Sequence, residues 1–291
     1  MINNFLRKQL IPYSFLAPSL VLLAVFSILP FIQGMYYSLM DYPLLKSPTF
    51  IGFKNFTRLF SDSLFFTSLF NTFYYMAATI VVRIALGLAL AIFLNQKLRG
   101  RTIYRAIFYF PVVAPLATMA IVWRWIFNEY SGLLNAGLDV FGISPIPWLT
   151  STEWAMPSII IMSIWKTFGW NLVIFLAGLQ GIPESLREAA AIDGANHWQA
   201  FRHITLPLLR PTILLAMVTS TIAASQVFEQ VYIMTGGGPG YSTMTLVQMV
   251  YTASFQNYEM GYASAVSVVL FTIILIFTII QFKYFGEEVK Y

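Results

Sequence analysis

The amino-acid sequence predicts an all-α membrane protein with about six transmembrane helices, and three observations carry that reading. Of its 291 residues, 58% are apolar and 17% aromatic while only 10% are charged, and the mean hydropathy is +0.71. That is far from the balance of a soluble globular domain. At about 20 residues per span, the length accommodates six spans with their connecting loops. The basic residues, finally, gather on alternate loops, as they do in polytopic membrane proteins.

Taken in order, Met1–Leu10 carries Arg7 and Lys8 ahead of the apolar run Ile11–Tyr37. That run exceeds a usual signal-peptide core, so it reads as a retained first helix, kinked near Pro30. Asp41–Leu64 reads as an external loop with Pro43 and Pro48. Within it, Phe50, Phe53, Phe56, Leu59 and Phe60 recur at nearly helical spacing, which predicts an amphipathic piece at the membrane interface. The second span is Phe65–Asn95, interrupted by Arg83. A basic loop with Lys97, Arg99, Arg101 and Arg105 precedes a third span at about Thr102–Phe127, which contains Pro111 and Pro115. Asn128–Glu153 is a loop with Glu129, Asp139 and Glu153 and no Lys or Arg. A fourth span runs from Trp154 to about Gln180, and a fifth from about Leu206 to Met234. Thr235–Met260 is again a loop without basic residues, and Gly261–Phe285 is the sixth span. The division expected is an N-terminal segment at 1–64, a transmembrane core at 65–285 and a tail at 286–291.

Sorting the basic residues by side gives the expected topology. One side receives Arg7, Lys8, Lys97, Arg99, Arg101, Arg105, Arg187, Arg202, Arg210, Lys283 and Lys290; the other receives Lys46, Lys54 and Arg58. The positive-inside rule then places both termini in the cytoplasm. The formal charge of +5 follows from orientation in a membrane rather than from nucleic-acid binding. With no cysteine in the chain, disulfides, thiolate metal sites and a cysteine nucleophile are excluded.

Between the fourth and fifth spans lies a polar island, Glu188–Pro207, rich in charge for this chain. Glu184–Ile192 holds good helix formers and follows Pro183, which suits a helix start. Gly194 falls where a left-handed residue would end that helix, and Ala195–Phe201 could restart it at an angle. Pro207 blocks seamless continuation but suits the start of the next helix. The expectation is a short helix–turn–helix outside the bilayer.

The spacing adds a resemblance. Glu188-Ala189-Ala190, three residues, Gly194, nine residues, then Ile204-x-Leu206-Pro207 resembles the EAA motif of permease subunits in binding-protein-dependent ABC importers. FLAPS at Phe15–Ser19, GLLNAGL at Gly132–Leu138, IPWL at Ile146–Leu149 and AGLQGIPESL at Ala177–Leu186 resemble the carbohydrate branch of that family. So do TGGGP at Thr235–Pro239 and GYASA at Gly261–Ala265. The resemblance implies a type I importer permease core and an ATPase-coupling role for Glu188, Ala189, Ala190, Asp193, Gly194, Ile204, Leu206 and Pro207. It further implies a second related permease, two ATP-binding cassette subunits that bind ATP and Mg, and an extracytoplasmic solute-binding protein. The solute would be carbohydrate-like, the other surroundings membrane lipid, and no cofactor would be bound by this chain itself.

Catalytic readings find no support in the residues. Thr235–Gly240 has the glycines of a phosphate loop but lacks the Gly-Lys-Ser/Thr ending, and reads as a flexible helix-terminating loop. His197 and His203 both lie in the island and have no nucleophile at supportive spacing. An ion-gradient-driven secondary transporter is the alternative; it would need acidic relay residues in the membrane, where only Glu229 is well placed, and it leaves the island unexplained.

Ionisable residues within spans point to a cavity or a bundle interior, which singles out Arg83, Arg124, Lys166 and Glu229. Ser163, Lys166, Thr167, Trp170 and Asn171 recur on one face of the fourth span, offering polar partners beside an indole. On the fifth span, read as one continuous helix, Ser220, Ala224, Val227 and Gln230 share a side, with Gln226 and Glu229 at its edges. In related permeases the path runs between these two spans. The expected substrate-binding set is therefore Ser163, Lys166, Thr167, Trp170, Asn171, Ser220, Gln226 and Glu229.

Overall fold

The structure, a computed structural model, describes residues 13, 15–43, 47–96 and 99–286. The basic positions Arg7, Lys8, Lys46, Lys97 and Lys290, and the tail beyond Gly286, fall outside the described residues. In chain order the elements are α1 (Phe15–Tyr37), β1 (Met40–Asp41), β2 (Thr49–Phe50), α2 (Lys54–Leu59) and α3 (Ser63–Leu94). There follow α4 (Arg101–Val113), α5 (Leu116–Ile126), α6 (Leu133–Asp139), α7 (Ala155–Gln180), α8 (Glu184–Ile192) and α9 (His197–Leu208). The chain continues through α10 (Arg210–Ser225), α11 (Glu229–Met234), α12 (Leu246–Tyr251) and α13 (Met260–Phe285). Among the described residues, α1, α3, α7 and α13 are each long and apolar enough to cross a membrane. Two bent pairs, α4 with α5 and α9 with α10, pass the same test of length and composition together, which makes up to six spans if each pair counts as one.

Two compact units divide the chain, one of residues up to Asp62 with Val250–Val269, the other of Ser63–Met249 with Leu270 onward. In the first unit, α1 contains a π-turn at Ala24–Ile28, closed by the Leu29 N–H on the Ala24 carbonyl. The irregularity expected near Pro30 therefore takes the form of one extra residue in the turn. Pro30 has no N–H, and its ring crowds the preceding turn, which the wider π-turn relieves.

The Phe50–Phe60 stretch departs from the continuous amphipathic piece that its spacing suggests. Phe50 belongs to β2, paired antiparallel with β1, and α2 is only six residues long. Asn55 and Leu59 face inward, while Phe50, Phe53 and Phe60 are exposed. The cause is Asn55, whose Nδ2 donates to the carbonyls of Ser38 at 2.9 Å and Met40 at 2.8 Å. Those bonds satisfy peptide groups that the short ribbon leaves free. Nearby, Arg58 makes a two-pronged pair with Glu259 (3.0 and 2.9 Å) and lies 4.4 Å over the Tyr262 ring, whose hydroxyl donates to Asp62 at 2.6 Å. The hydrogen bonds that Arg58 donates to Glu259 raise its pKa above the ordinary value.

The second unit is built on α3 packed along α7. Tyr75, Met76, Ile159, Met162, Phe127 and Val231 form one buried apolar cluster, and Ala91, Leu94, Leu172, Phe175, Leu209 and Ala216 another. From α13, Gln281 donates to the Thr221 hydroxyl of α10 at 2.7 Å. The two long helices approach closely at Gly87, where an added Cβ would stand 2.7 Å from the Asn171 Cβ and 3.0 Å from its carbonyl carbon.

Two of the expected spans are not single helices. The third breaks at Ala114–Pro115, turning by 93° between α4 and α5. Pro115 lacks an N–H and biases Ala114 to its extended conformation (ψ 140°). The fifth bends by 66° at Leu209, just before Pro211, and stops again at Ser225; residues 226–228 are non-helical before α11 begins. Thr235–Gly240 ends α11, as read from its glycines, and hydrogen bonds reach it and the residues that follow. Thr243 donates to the Gly238 carbonyl at 2.8 Å, and Asn71 to the carbonyls of Tyr241 and Met244.

The close approach at Gly87 makes a specific demand. Gly87→Val should destabilise the second unit by about 1–3 kcal/mol through overpacking against α7, measured as a lower thermal midpoint of the purified protein in detergent; an unchanged midpoint would contradict the packing described.

Candidate functional site

Two features of the second unit carry function-bearing geometry, an elbow at one end of α10 and a pair of cavities at the other. The elbow begins at Pro183 (ψ 132°), after which α8 runs from Glu184 to Ile192 with Glu184 in its first turn, where a carboxylate complements the helix dipole. The helix closes with Asp193 N–H on the Ala189 carbonyl and Ala195 N–H on the Ala190 carbonyl. Gly194 between them sits at φ +79°, in the left-handed region that glycine adopts without a Cβ penalty. Among the described residues, nothing beyond its two chain neighbours lies within 4 Å of where its Cβ would be, so there the glycine serves the turn and not a close backbone approach.

Asn196 restarts the helix through a capping box, which the sequence reading had not singled out. Its Oδ1 accepts from the Gln199 N–H at 2.9 Å, and Gln199 Oε1 accepts from the Asn196 N–H at 2.8 Å. A π-turn over Phe201–Thr205 then admits Pro207 without ending α9. Glu188, Ala189, Asp193 and Gly194 are exposed, Ile204, Leu206 and Pro207 partly so, and Ala190 is buried. Beside them Ile192 and Trp198, at 86% and 67% exposure, present apolar surface on an otherwise polar element. Beneath the elbow a cavity of about 500 Å³ is bordered by Asn95, Gln96, Leu179, His197, Phe201 and Thr205. At the end of α7, Gln180, with its amide oxygen turned toward α4, accepts from Arg101 and Arg105.

The two cavities lie among α3, α7 and the far end of α10. The first, about 300 Å³, is lined by Tyr75, Arg83, Ser163, Lys166, Thr167, Gln226, Glu229 and Gln230 among others. The second, about 210 Å³, includes Arg83, Thr167, Trp170, Asn171 and Ser220. All eight residues of the expected substrate set border one cavity or the other. Their helical-face rationale on the fifth span does not hold, however, because Gln226 caps α10 outside the helix and Glu229 starts a separate one. Both are exposed, whereas Ser220, Ala224, Val227 and Gln230 are buried.

Arg83 links three helices. Its Nη1 donates to Thr167 Oγ1 on α7 at 3.0 Å and its Nη2 to the Ser220 carbonyl on α10 at 3.2 Å, while its buried Nε has no partner. Lys166 donates to the Val112 carbonyl at 2.9 Å, taking one of the carbonyls that the break after α4 deprives of an intrahelical donor. Asn171 Nδ2 meets Ser220 Oγ at 3.3 Å, and Gln230 donates to the Tyr75 hydroxyl at 2.9 Å. Arg124, also singled out among the ionisable residues of the spans, is exposed and donates to the Ile233 carbonyl at 3.3 Å.

Sequence reasoning left Tyr75 and the α3 face out of the site. A signal was present: Ser68, Thr72, Tyr75, Thr79, Arg83 and Gly87 follow one another at three- and four-residue steps, and all are buried. Such a polar and small-residue stripe inside an apolar run marks a face turned to other helices.

The model of the family described as "Binding-protein-dependent transport system inner membrane component" matches residues 83–285. The trehalose/maltose transport system permease protein of Thermococcus litoralis is 36% identical, over 95% of this chain and 94% of its own. The arabinooligosaccharides transport system permease protein of Bacillus subtilis is also 36% identical, over 97% and 91%. The sn-glycerol-3-phosphate transport system permease protein of Brucella abortus is 37% identical, over 98% and 97%. In three dimensions the fold is similar to a chain of a bacterial ABC transporter involved in the import of the acidic polysaccharide alginate. That match has a TM-score of 0.85 at 23% identity and covers 99% of both chains.

The capping box at Asn196 makes the elbow's second arm dependent on one side chain. Asn196→Ala should weaken α9 locally by about 0.5–2 kcal/mol, seen as faster amide exchange over residues 197–200 with unchanged exchange in α7; equal protection in the variant would show the cap to be dispensable.

Proposed function

Because the chain belongs to the family of binding-protein-dependent transport system inner membrane components, we propose that it is the permease subunit of an ATP-driven importer for a sugar, oligosaccharide, polyol or related solute. The relatives named above for trehalose/maltose, arabinooligosaccharides and glycerol phosphate support that solute range. The observation that carries the reading is the elbow. Glu188–Pro207 forms two short helices around a left-handed glycine, offers Ile192 and Trp198 outward, and joins α10 through a 66° bend. An exposed Trp on a polar element is the kind of anchor that seats in a partner's pocket.

In this proposal the elbow docks on one of two separate ATPase subunits, which bind the ATP and Mg, with Glu188 and Asp193 in polar contacts at the rim. Both termini and the elbow face the cytoplasm of the inner membrane, in keeping with the positive-inside count. Residues 65–285 form the transport core and pair with a second, related permease. A solute-binding protein delivers cargo to the external loops. Closing of the ATPases moves the elbows, α10 transmits the motion, and the cavities bordered by Thr167, Trp170, Gln226 and Glu229 open alternately to either side. An ion-gradient-driven carrier would leave the elbow without a task.

The chain contains no cysteine, so a single Cys at Trp198 reports without ambiguity. It should cross-link to the ATPase subunit and resist impermeant reagents applied outside the cell; labelling from outside would overturn the docking and the topology together. Gly194→Val places a β-branched residue at φ +79°, a strain of about 1–2 kcal/mol. ATP hydrolysis in that variant should lose its response to solute-loaded binding protein while uptake falls, whereas normal coupling would count against the elbow. Trp170→Ala and Gln226→Ala should each reduce uptake with the complex still assembled; full transport by both would remove these residues from the path.

A further inference from the structure

The two cavities hold an electrostatic arrangement that a neutral sugar does not call for. Arg83 and Lys166 border the first cavity together, and Arg83 borders the second as well. Both side chains are more than nine-tenths buried, at 5% and 7% exposure, where a charge without a counter-charge is costly. Their hydrogen-bond partners are all neutral: the Thr167 hydroxyl and the carbonyls of Ser220 and Val112. Among the described residues, neither cation has a carboxylate within 4.0 Å, and the one ion pair found there, Arg58–Glu259, involves neither of them. Glu229 borders the first cavity, but it is exposed and does not share the burial of the two cations.

Donor capacity is left over. The Arg83 Nε is buried with no partner, and Lys166 spends one of three ammonium hydrogens on Val112. A purely architectural link from α3 to Thr167 and Ser220 needs donors and not a charge, and a glutamine would supply them. Hydroxyls of a neutral saccharide are likewise served by Asn171, Thr167 and the Trp170 indole. Both cations bring positive charge to one small space with no buried counter-charge beside it, and an anion bound there relieves the cost of their desolvation.

We infer that Arg83 and Lys166 form an anion-binding pair and that the imported solute carries an acidic group, a carboxylate, sulfonate or phosphate on a saccharide or polyol. This rests on the importer reading above and narrows its substrate class. Arg83 is the specificity-determining residue, because its planar fork can hold two oxygens of one acidic group. Lys166 supplies the second charge from α7.

Uptake into membrane vesicles from cells carrying the complete transporter tests this with matched radiolabelled pairs: glucose and glucuronate oligomers, galactose and galacturonate oligomers, glycerol and glycerol phosphate. The acidic member of a pair should be imported in preference to its neutral counterpart. Arg83→Gln should raise its KM by about tenfold or more, the loss expected for one charge-assisted bond. Arg83→Lys should restore part of that loss, and Lys166→Gln should act in the same direction. Co-purification of each variant with its partner subunits separates this from misassembly, since a merely architectural Arg83 would lower the amount of complex and leave the acidic-to-neutral ratio unchanged. Preferential import of a neutral solute, or an unchanged ratio in Arg83→Gln, overturns the acidic assignment while the importer reading stands. Uptake of panel members that continues undiminished without ATP overturns the reading beneath it.

Discussion

A helix that breaks inside an apolar span must find partners for its freed peptide groups without help from bulk water. That constraint explains much of the polar chemistry in this molecule. The 93° break between α4 and α5 frees the Val112 carbonyl, and Lys166 takes it. The break between α10 and α11 frees the Val227 carbonyl, and the Thr245 hydroxyl takes it at 3.1 Å. At the start of α12 the Leu246 N–H finds the Thr72 hydroxyl at 3.0 Å. Each repair uses a polar side chain from a different part of the chain, and the first two border or adjoin the cavities. Broken helices thus generate both the open space and the polar groups around it.

The elbow was legible because its signals are local. Pro183 before good helix formers, a glycine at the seventh residue of the island and Pro207 at its end each restrict the backbone through their own geometry, and α8 has the span read from composition. The fifth span was not legible as two pieces. Between Ser225 and Glu229 stand Gln226, Val227 and Phe228, none of them a breaker, and apolar periodicity runs through them. What stabilises the break is the bond from Thr245, eighteen residues further on, which no local window contains. The third span lies between these cases. Pro111 and Pro115 announce an irregularity, but Pro111 is absorbed within α4 while Pro115 ends it. Proline chemistry alone does not say which of the two turns the chain by 93°.

Candidate site residues divide along the same line. Those on α7 were recognisable because Ser163, Lys166, Thr167 and Asn171 interrupt an apolar run with polar groups at helical spacing. Gln226 and Glu229 border the first cavity, but for the opposite reason to the one inferred: they stand where the helix has ended. Tyr75 has an apolar body and a single hydroxyl, and nothing in its own neighbourhood distinguishes it from a packing residue. Its partner Gln230 is 155 positions away, so the pairing is a property of the assembled bundle.

Arg83 shows how architecture and selectivity can reside in one side chain. A carboxylate partner on α7 or α10 would have held the three helices together just as well, but it would have neutralised the guanidinium and left a cavity without net attraction for anions. A hydroxyl and a backbone carbonyl orient the same group and leave its charge intact. Neutral partners also make the link easier to exchange, because they offer the guanidinium no counter-charge, whereas an acidic group adds ion pairing to the charge-assisted bond that the hydroxyl and the carbonyl make. An acidic solute can therefore compete for the guanidinium with Thr167 and Ser220, on the two helices it ties to α3. In the proposed cycle, arrival of cargo would loosen the contact between α3 and α10, and α10 is the helix whose opposite end carries the elbow. Over its 16 residues, about 24 Å at the usual rise per residue, that helix is stiff enough for a change at either end to be felt at the other.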